Sequence, residues 1–296
     1  MYESFYGFRE KPFHVTADPS FLYPSQEHQE AMAHLTYGIQ QRVGFLMITG
    51  EVGTGKTTLC KALLDKLPGE TKTALVLNPA LSPTELLQTI ASDFGILPGK
   101  TGTTTGRGRV SRGELIALIE QFLLKQAATG KSAVVIIDEA QALSPSALEQ
   151  VRLLSTVETV KSKLLQIVLI GQPELAEKLD TDRSLRALND RISIRYNIQP
   201  LSAEEVGAYI RHRLCVAEGK RPPTFTTEAI AEIARISSGV PRRINRLCDQ
   251  ALLAGFVQES LIIDEKLMEK ALNKPSENTR GFEENGVENS LQGEFS

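Results

Sequence analysis

The stretch Gly50-Glu51-Val52-Gly53-Thr54-Gly55-Lys56-Thr57 constrains this chain more than any other. It fits G-x-x-x-x-G-K-[ST], a loop whose glycines let the backbone curl until its N–H groups face a phosphate chain. Lys56 is placed to reach the β- and γ-phosphates, and the Thr57 hydroxyl to ligate Mg²⁺. Before the loop, Phe45-Leu46-Met47-Ile48-Thr49 reads as a buried strand. After it, Thr58 to Leu67 carries Leu59, Ala62, Leu63 and Leu67 on one helical face. A strand, a glycine loop and a helix N-terminus make an anion site, because unpaired N–H groups and the helix dipole converge there. The expected ligand is a nucleoside triphosphate.

A second chemical signal lies downstream. Ser132-Ala133-Val134-Val135-Ile136-Ile137-Asp138-Glu139 is an apolar strand ending in two carboxylates. Hydrolysis needs one carboxylate to fix the Mg²⁺ shell and another to polarise the attacking water, roles that suit Asp138 and Glu139 respectively. Further strand patterns at Thr73–Leu77 and Gln166–Ile170 alternate with helical ones at His28–Gln40, from Pro83 to about Ile90, and at Glu114–Ala127. That alternation predicts a parallel sheet covered on both faces.

Near Pro200 the pattern becomes helical only. Ser202-Ala203-Glu204-Glu205 is a capping box, and helices follow at Thr227–Ile236, at Pro241–Phe256 and from Asp264. Lys100 to Arg112, rich in Gly and Thr, lacks apolar periodicity and reads as a surface loop. The Asn/Glu/Gly/Ser-rich end beyond Pro275 reads as disordered. The expected divisions are an aromatic N-terminal segment (1–40), an ATPase core (41–200), a helical lid (201–273) and a polar tail (274–296).

Composition removes some classes. With 33 basic and 36 acidic residues, net charge −3, nothing pulls the whole chain toward nucleic acid or a membrane. No apolar run approaches the roughly 18 residues of a membrane span, and the N-terminus has no signal pattern. A cytoplasmic protein is expected, with attachment at the inner membrane only through a partner. Cys60, Cys215 and Cys248 are odd in number and widely spaced, as reduced packing residues would be. The four histidines form no metal-spaced pair, so Mg²⁺ is the one metal expected.

Taken together, Gly50–Thr57 and Asp138-Glu139-Ala140-Gln141 resemble an AAA+ ATPase. Phe5-Tyr6-Gly7-Phe8, Pro12-Phe13, Asp18-Pro19, Ile170-Gly171-Gln172-Pro173 and Gly239-Val240-Pro241-Arg242-Arg243-Ile244-Asn245 narrow this. They resemble the general secretion pathway protein A family of bacterial ATPases, to which transposition helper ATPases are similar. The resemblance implies a P-loop three-layer α/β sandwich with a parallel central sheet, followed by a small all-helical lid. It implies ATP and Mg²⁺ as ligands, held by Gly50 to Thr58 and Asp138. It makes Gln172 a sensor of the γ-phosphate and Arg242 a lid arginine reaching the phosphates, with Arg243 able to exchange roles. Arg191 best matches the arginine finger of a neighbouring subunit, with Arg186 and Arg195 as competitors on the same segment. The residues before 40 would wrap the adenine. The implied function is ATP hydrolysis by a homo-oligomer serving a secretion or cell-envelope export system through a protein partner. A DNA-binding regulator of transposition is the alternative, and a switch that scarcely hydrolyses is a third reading that Glu139 opposes.

Overall fold

The computed structural model describes residues 1–77, 80–97, 110–158 and 163–273. Five strands form one parallel sheet: β1 (Phe45–Gly50), β2 (Lys72–Val76), β3 (Ala133–Ile137), β4 (Leu165–Gly171) and β5 (Ile192–Ile198), in the order β2-β3-β4-β1-β5. In register, Thr49 lies beside Gly171, and Ile137 beside Leu169. The ends of β1, β3 and β4 therefore meet along one edge of the sheet, where open parallel sheets bind ligands.

Strand alternation builds the two faces. Phe45, Met47, Val135, Ile137 and Leu169 point into one core. Leu46, Ile48, Val134, Ile136 and Ile170 point into the other. Helices α1 (Tyr2–Tyr6), α2 (Gln26–Gln40) and α3 (Lys56–Lys66) open the chain's helical set. Of these, α2 and α3 cover the second face, with Leu35, Ile39, Leu59 and Leu63 buried. The first face is covered by α4 (Pro83–Asp93), α5 (Arg112–Ala128), α6 (Pro145–Leu154), α7 (Pro173–Thr181) and α8 (Arg186–Asn189). Ser82 and Ser111 close capping boxes with Glu85 and Glu114 at the starts of α4 and α5.

The remaining helices are α9 (Ala203–Val216), α10 (Thr227–Ser237), α11 (Pro241–Val257) and α12 (Glu265–Asn273). They build the helical unit expected after Pro200 and add a two-residue parallel pair, β6 (Thr224–Phe225) with β7 (Ile262–Ile263). Ser202 and Glu205 form the expected capping box at α9.

Residues 1–40 divide between two cores. Tyr2, Tyr6, Phe8, Phe13 and Phe21 are buried among Val206, Ile210, Ile244 and Leu252 of the helical unit. By contrast, α2 packs on the sheet. The Tyr6 hydroxyl donates to the carbonyls of Leu252 and Ser260, both at 3.2 Å, which fixes α1 on α11. Cys60 and Cys248 are buried as packing residues, but Cys215 is exposed, because its position on α9 faces away from the core. The proposed Lys100–Arg112 loop lies outside the described residues up to 109, as does the tail from 274. Arg112 itself opens α5.

Candidate nucleotide-binding site

A cavity of about 320 Å³ lies where the phosphate loop, the N-terminal segment and the helical unit meet. Residues 52–58 form its floor, and Glu139 and Arg242 border it. Gly53 (φ 88°) and Gly55 (φ 95°) both sit in the left-handed region. A Cβ on Gly53 would lie 2.6 Å from Arg242 Cβ, and one on Gly55 would lie 2.9 Å from His28 Nε2. Glycine is required at both for backbone conformation and for close approach. Gly50 and Glu51 do not line the cavity. Their carbonyls instead accept hydrogen bonds from Lys56 Nζ, each at 2.7 Å. Burial pushes the Lys56 ammonium below its ordinary value, against the pull of the Glu139 and Asp138 carboxylates.

Behind the loop, Thr57 Oγ1 donates to Asp138 Oδ2 at 2.6 Å. Asp138 is buried, and its other oxygen accepts from the Glu139 N–H at 2.9 Å. Burial raises the Asp138 carboxyl, and the Thr57 hydroxyl and Glu139 N–H offset part of the rise. Two adjoining hard oxygens from Thr57 and Asp138 are the donor chemistry that Mg²⁺ takes, so the residues fit that ion.

Glu139 adopts a left-handed conformation (φ 53°), uncommon for a residue with a side chain. Its Oε2 accepts from Gln141 Nε2 at 2.6 Å and from Gln172 Nε2 at 3.2 Å. Burial pushes its carboxyl up, but the two amides and Lys56 outweigh that and hold it below its ordinary value. Gln172 caps α7 just past β4, and its N–H donates to Gln141 Oε1 at 3.1 Å. Gln141 therefore links the ends of β3 and β4. Its motif was visible in the sequence, but nothing there indicated a bridging role.

The upper wall comes from residues far apart in sequence. Arg213, buried on α9, donates to the carbonyls of Pro12 (2.6 Å) and His14 (2.9 Å), and lies over the Phe21 ring at 4.4 Å. It thereby holds residues 14–17 against the cavity. Tyr209 donates to Asn245 across α9 and α11 at 2.7 Å. On the lid side, the Arg242 N–H donates to the Gly53 carbonyl at 3.2 Å. Arg242 faces the cavity, and Arg243 is not among its lining residues. Glu10, His14 and Asp18 bring ligand atoms within 4.8 Å of one another, a grouping that histidine spacing does not reveal. Asp18 is already committed to Ser20 there, through both the Ser20 N–H and its hydroxyl.

Arg191 stands apart from this cavity. Its Nη1 donates to Ser155 Oγ at the end of α6 (3.1 Å). Arg195 is tied to Asp180 and Asn189, whereas Arg186 is exposed. All three lie on the α8–β5 segment. The strand β5 was not predicted, because it alternates Ile192, Ile194, Tyr196 and Ile198 with polar residues instead of running apolar as a central strand does.

Known proteins match both sequence and fold. The family described as AAA domain matches residues 39–179. General secretion pathway protein A of Aeromonas hydrophila is 47% identical over 88% of this chain, which spans 46% of that protein's length. The chain thus covers about half of that relative. Among solved structures, the ORC2 protein of Aeropyrum pernix, in ADPNP–ADP complexes, superposes with a TM-score of 0.64 at 17% identity, over 90% of this chain and 72% of that one. The RuvB Holliday junction branch migration motor of Thermotoga maritima gives 0.56 at 16% identity, over 84% of this chain and 68% of that one. Among the described residues, no helix is long and apolar enough to cross a membrane. With the AAA domain over the phosphate loop and both acids, and close identity along most of its length, the chain is a member of the AAA+ ATPases resembling general secretion pathway protein A.

Proposed function

We propose that this chain binds ATP with Mg²⁺ and hydrolyses it to ADP and phosphate. The convergence of Lys56, Thr57, Asp138, Glu139 and Gln172 at the ends of β1, β3 and β4 carries the reading. Residues 52–58 surround the phosphates, and Lys56 exchanges its loop carbonyls for phosphate oxygens. Thr57 and Asp138 hold Mg²⁺, which when bound neutralises charge on the β- and γ-phosphates. The Glu139 carboxylate accepts a proton from water as the water oxygen bonds to the γ-phosphorus and the bond to the bridging oxygen of ADP breaks. Gln172 orients Glu139 and the water. Arg242 answers to the phosphates from the lid.

Charge on the transferred group needs a further cation, which a second copy supplies from the α8–β5 segment. Arg191 is the first assignment, since among the described residues its guanidinium is held by one bond, to a serine hydroxyl, which is readily exchanged. Arg186 is already exposed, and Arg195 is the most tethered. The active form is then a homo-oligomer with shared sites. The work of hydrolysis goes to assembly or operation of a secretion or cell-envelope system, on the strength of the identity to general secretion pathway protein A, with the chain cytoplasmic and held at the membrane by a partner. The aromatic segment before 40 contributes the adenine side of the cavity through residues 14–17.

A DNA-linked role is the second reading. It draws on a fold shared with an ORC solved bound to DNA, at 22% identity. The deciding experiment traps the ATP state with Glu139→Gln and identifies what co-purifies, with and without nuclease. A nuclease-resistant envelope protein supports the first reading, and nuclease-sensitive recovery replaces it with the second.

A further inference from the structure

His28 is buried beneath the phosphate loop, although it lies 26 positions from Thr54 and belongs to no nucleotide-site motif. Its Nε2 is 3.0 Å from the Thr54 carbonyl oxygen, and its Nδ1 is 2.7 Å from Ser25 Oγ. A carbonyl can only accept, so Nε2 carries the proton. Nδ1 of the neutral ring then accepts from the Ser25 hydroxyl, whose oxygen in turn accepts the His28 N–H at 3.3 Å as the cap of α2. Burial favours that neutral ring.

The described chain has no cis peptide bonds, and in a trans peptide the C=O and the following N–H point in opposite directions. Holding the Thr54 carbonyl against His28 therefore turns the Gly55 N–H the other way, away from the imidazole, on a residue that lines the cavity together with His28. Gly55 is the N-cap of α3, where the N–H groups are free to meet an anion.

The first turn of α2 that carries His28 is itself anchored. Glu27 Oε2 accepts from the Gln199 N–H at 3.1 Å, just past β5. The Gln26 N–H donates to Glu205 Oε1 at 3.4 Å, at the start of α9 in the helical unit.

We propose that His28 is a positioning residue of the triphosphate site: through the Thr54 carbonyl it sets the direction of the Gly55 N–H toward the phosphates. This rests on the reading of the cavity as an ATP site. Gln can place an amide donor near the Nε2 position, whereas Asn reaches only the Nδ1 position and Leu has no donor. Mg-ATP and Mg-ADP dissociation constants are measured by calorimetry on the full chain, with turnover at saturating ATP and melting temperature without nucleotide. His28→Gln should bind within about threefold of wild type, and His28→Asn and His28→Leu about tenfold more weakly, as loss of one hydrogen bond predicts. Turnover at saturation is read in the same samples and should keep the same order, with His28→Gln nearest wild type, because the Gly55 N–H faces the phosphates in the transition state as well. Equal affinity for Gln, Asn and Leu variants overturns the proposal, as does a fall in melting temperature with unchanged affinity. Wild-type affinity in Lys56→Ala overturns the ATP-site reading and the proposal with it. Loss in Lys56→Ala with none in His28→Asn overturns the proposal alone.

Discussion

Thr57 Oγ1 and Asp138 Oδ2 meet at 2.6 Å across 81 positions of sequence, joining the first turn of α3 to the end of β3. Thr57→Val keeps the shape and removes the hydroxyl from a buried carboxylate. Unfolding by urea without nucleotide should show a loss of about 1.5–3 kcal/mol, the range for a hydrogen bond to a charged group. ATP affinity in the variant should also become insensitive to Mg²⁺, and an unchanged Mg²⁺ dependence would move the ion's ligand elsewhere.

Lys56 Nζ bridges the carbonyls of Gly50 and Glu51. Lys56→Ala should fold, because its bonds lie within the loop and not between core layers. Wild-type protein at about 100 times Kd of Mg-ATP gains about 2.7 kcal/mol of stability by mass action. The variant should gain none in a thermal scan.

Glu139 is held by Gln141 and Gln172 at one oxygen. Glu139→Gln should lower turnover by about 10²–10⁴, the range for loss of a general base, while ATP still binds. Gln141→Met, which removes the bridge and keeps the acid, should lower kcat by a smaller factor at unchanged ATP affinity. Matching effects on kcat and affinity would count against its assignment to Glu139.

The three arginines of the α8–β5 segment separate by assembly. Arg191→Ala should retain ATP binding and lose the rise of specific turnover with protein concentration. If Arg186→Ala loses that rise and Arg191→Ala keeps it, the finger is Arg186.

His28 gives stability a pH dependence. Its folded-state value lies below the ordinary histidine range, with burial as the main cause. Below about pH 6.5 the unfolded chain therefore takes up a proton that the folded chain refuses, and stability falls as pH falls toward the lowered value. Wild type should lose more unfolding free energy than His28→Gln between about pH 7 and 5.5. Parallel curves would contradict a neutral buried ring. His212 is also shifted down by burial, but it is common to both proteins and cancels in the difference.

Local regularities made much of this molecule legible. The phosphate loop needs contiguous residues of fixed type, so Gly53, Gly55, Lys56 and Thr57 declared themselves. The central strands β1, β3 and β4 are apolar on both faces and stood out as unbroken runs. The edge strand β5 did not, because one side of its pattern faces solvent. The capping box at Ser202 marked a helix start, since capping acts within four residues.

Sequence alone determined that a phosphate-loop motif is followed by a paired-acid strand in a parallel α/β core, because each motif is short range and built from neighbours. Only the tertiary structure decided which distant groups complete the site. Arg213 pins residues 12 and 14, His28 grips Thr54, and Gln141 ties Glu139 to Gln172. Those pairings arise from sheet order and helix packing, which bring separate stretches of chain within hydrogen-bond distance, and spacing along the chain carries no record of them.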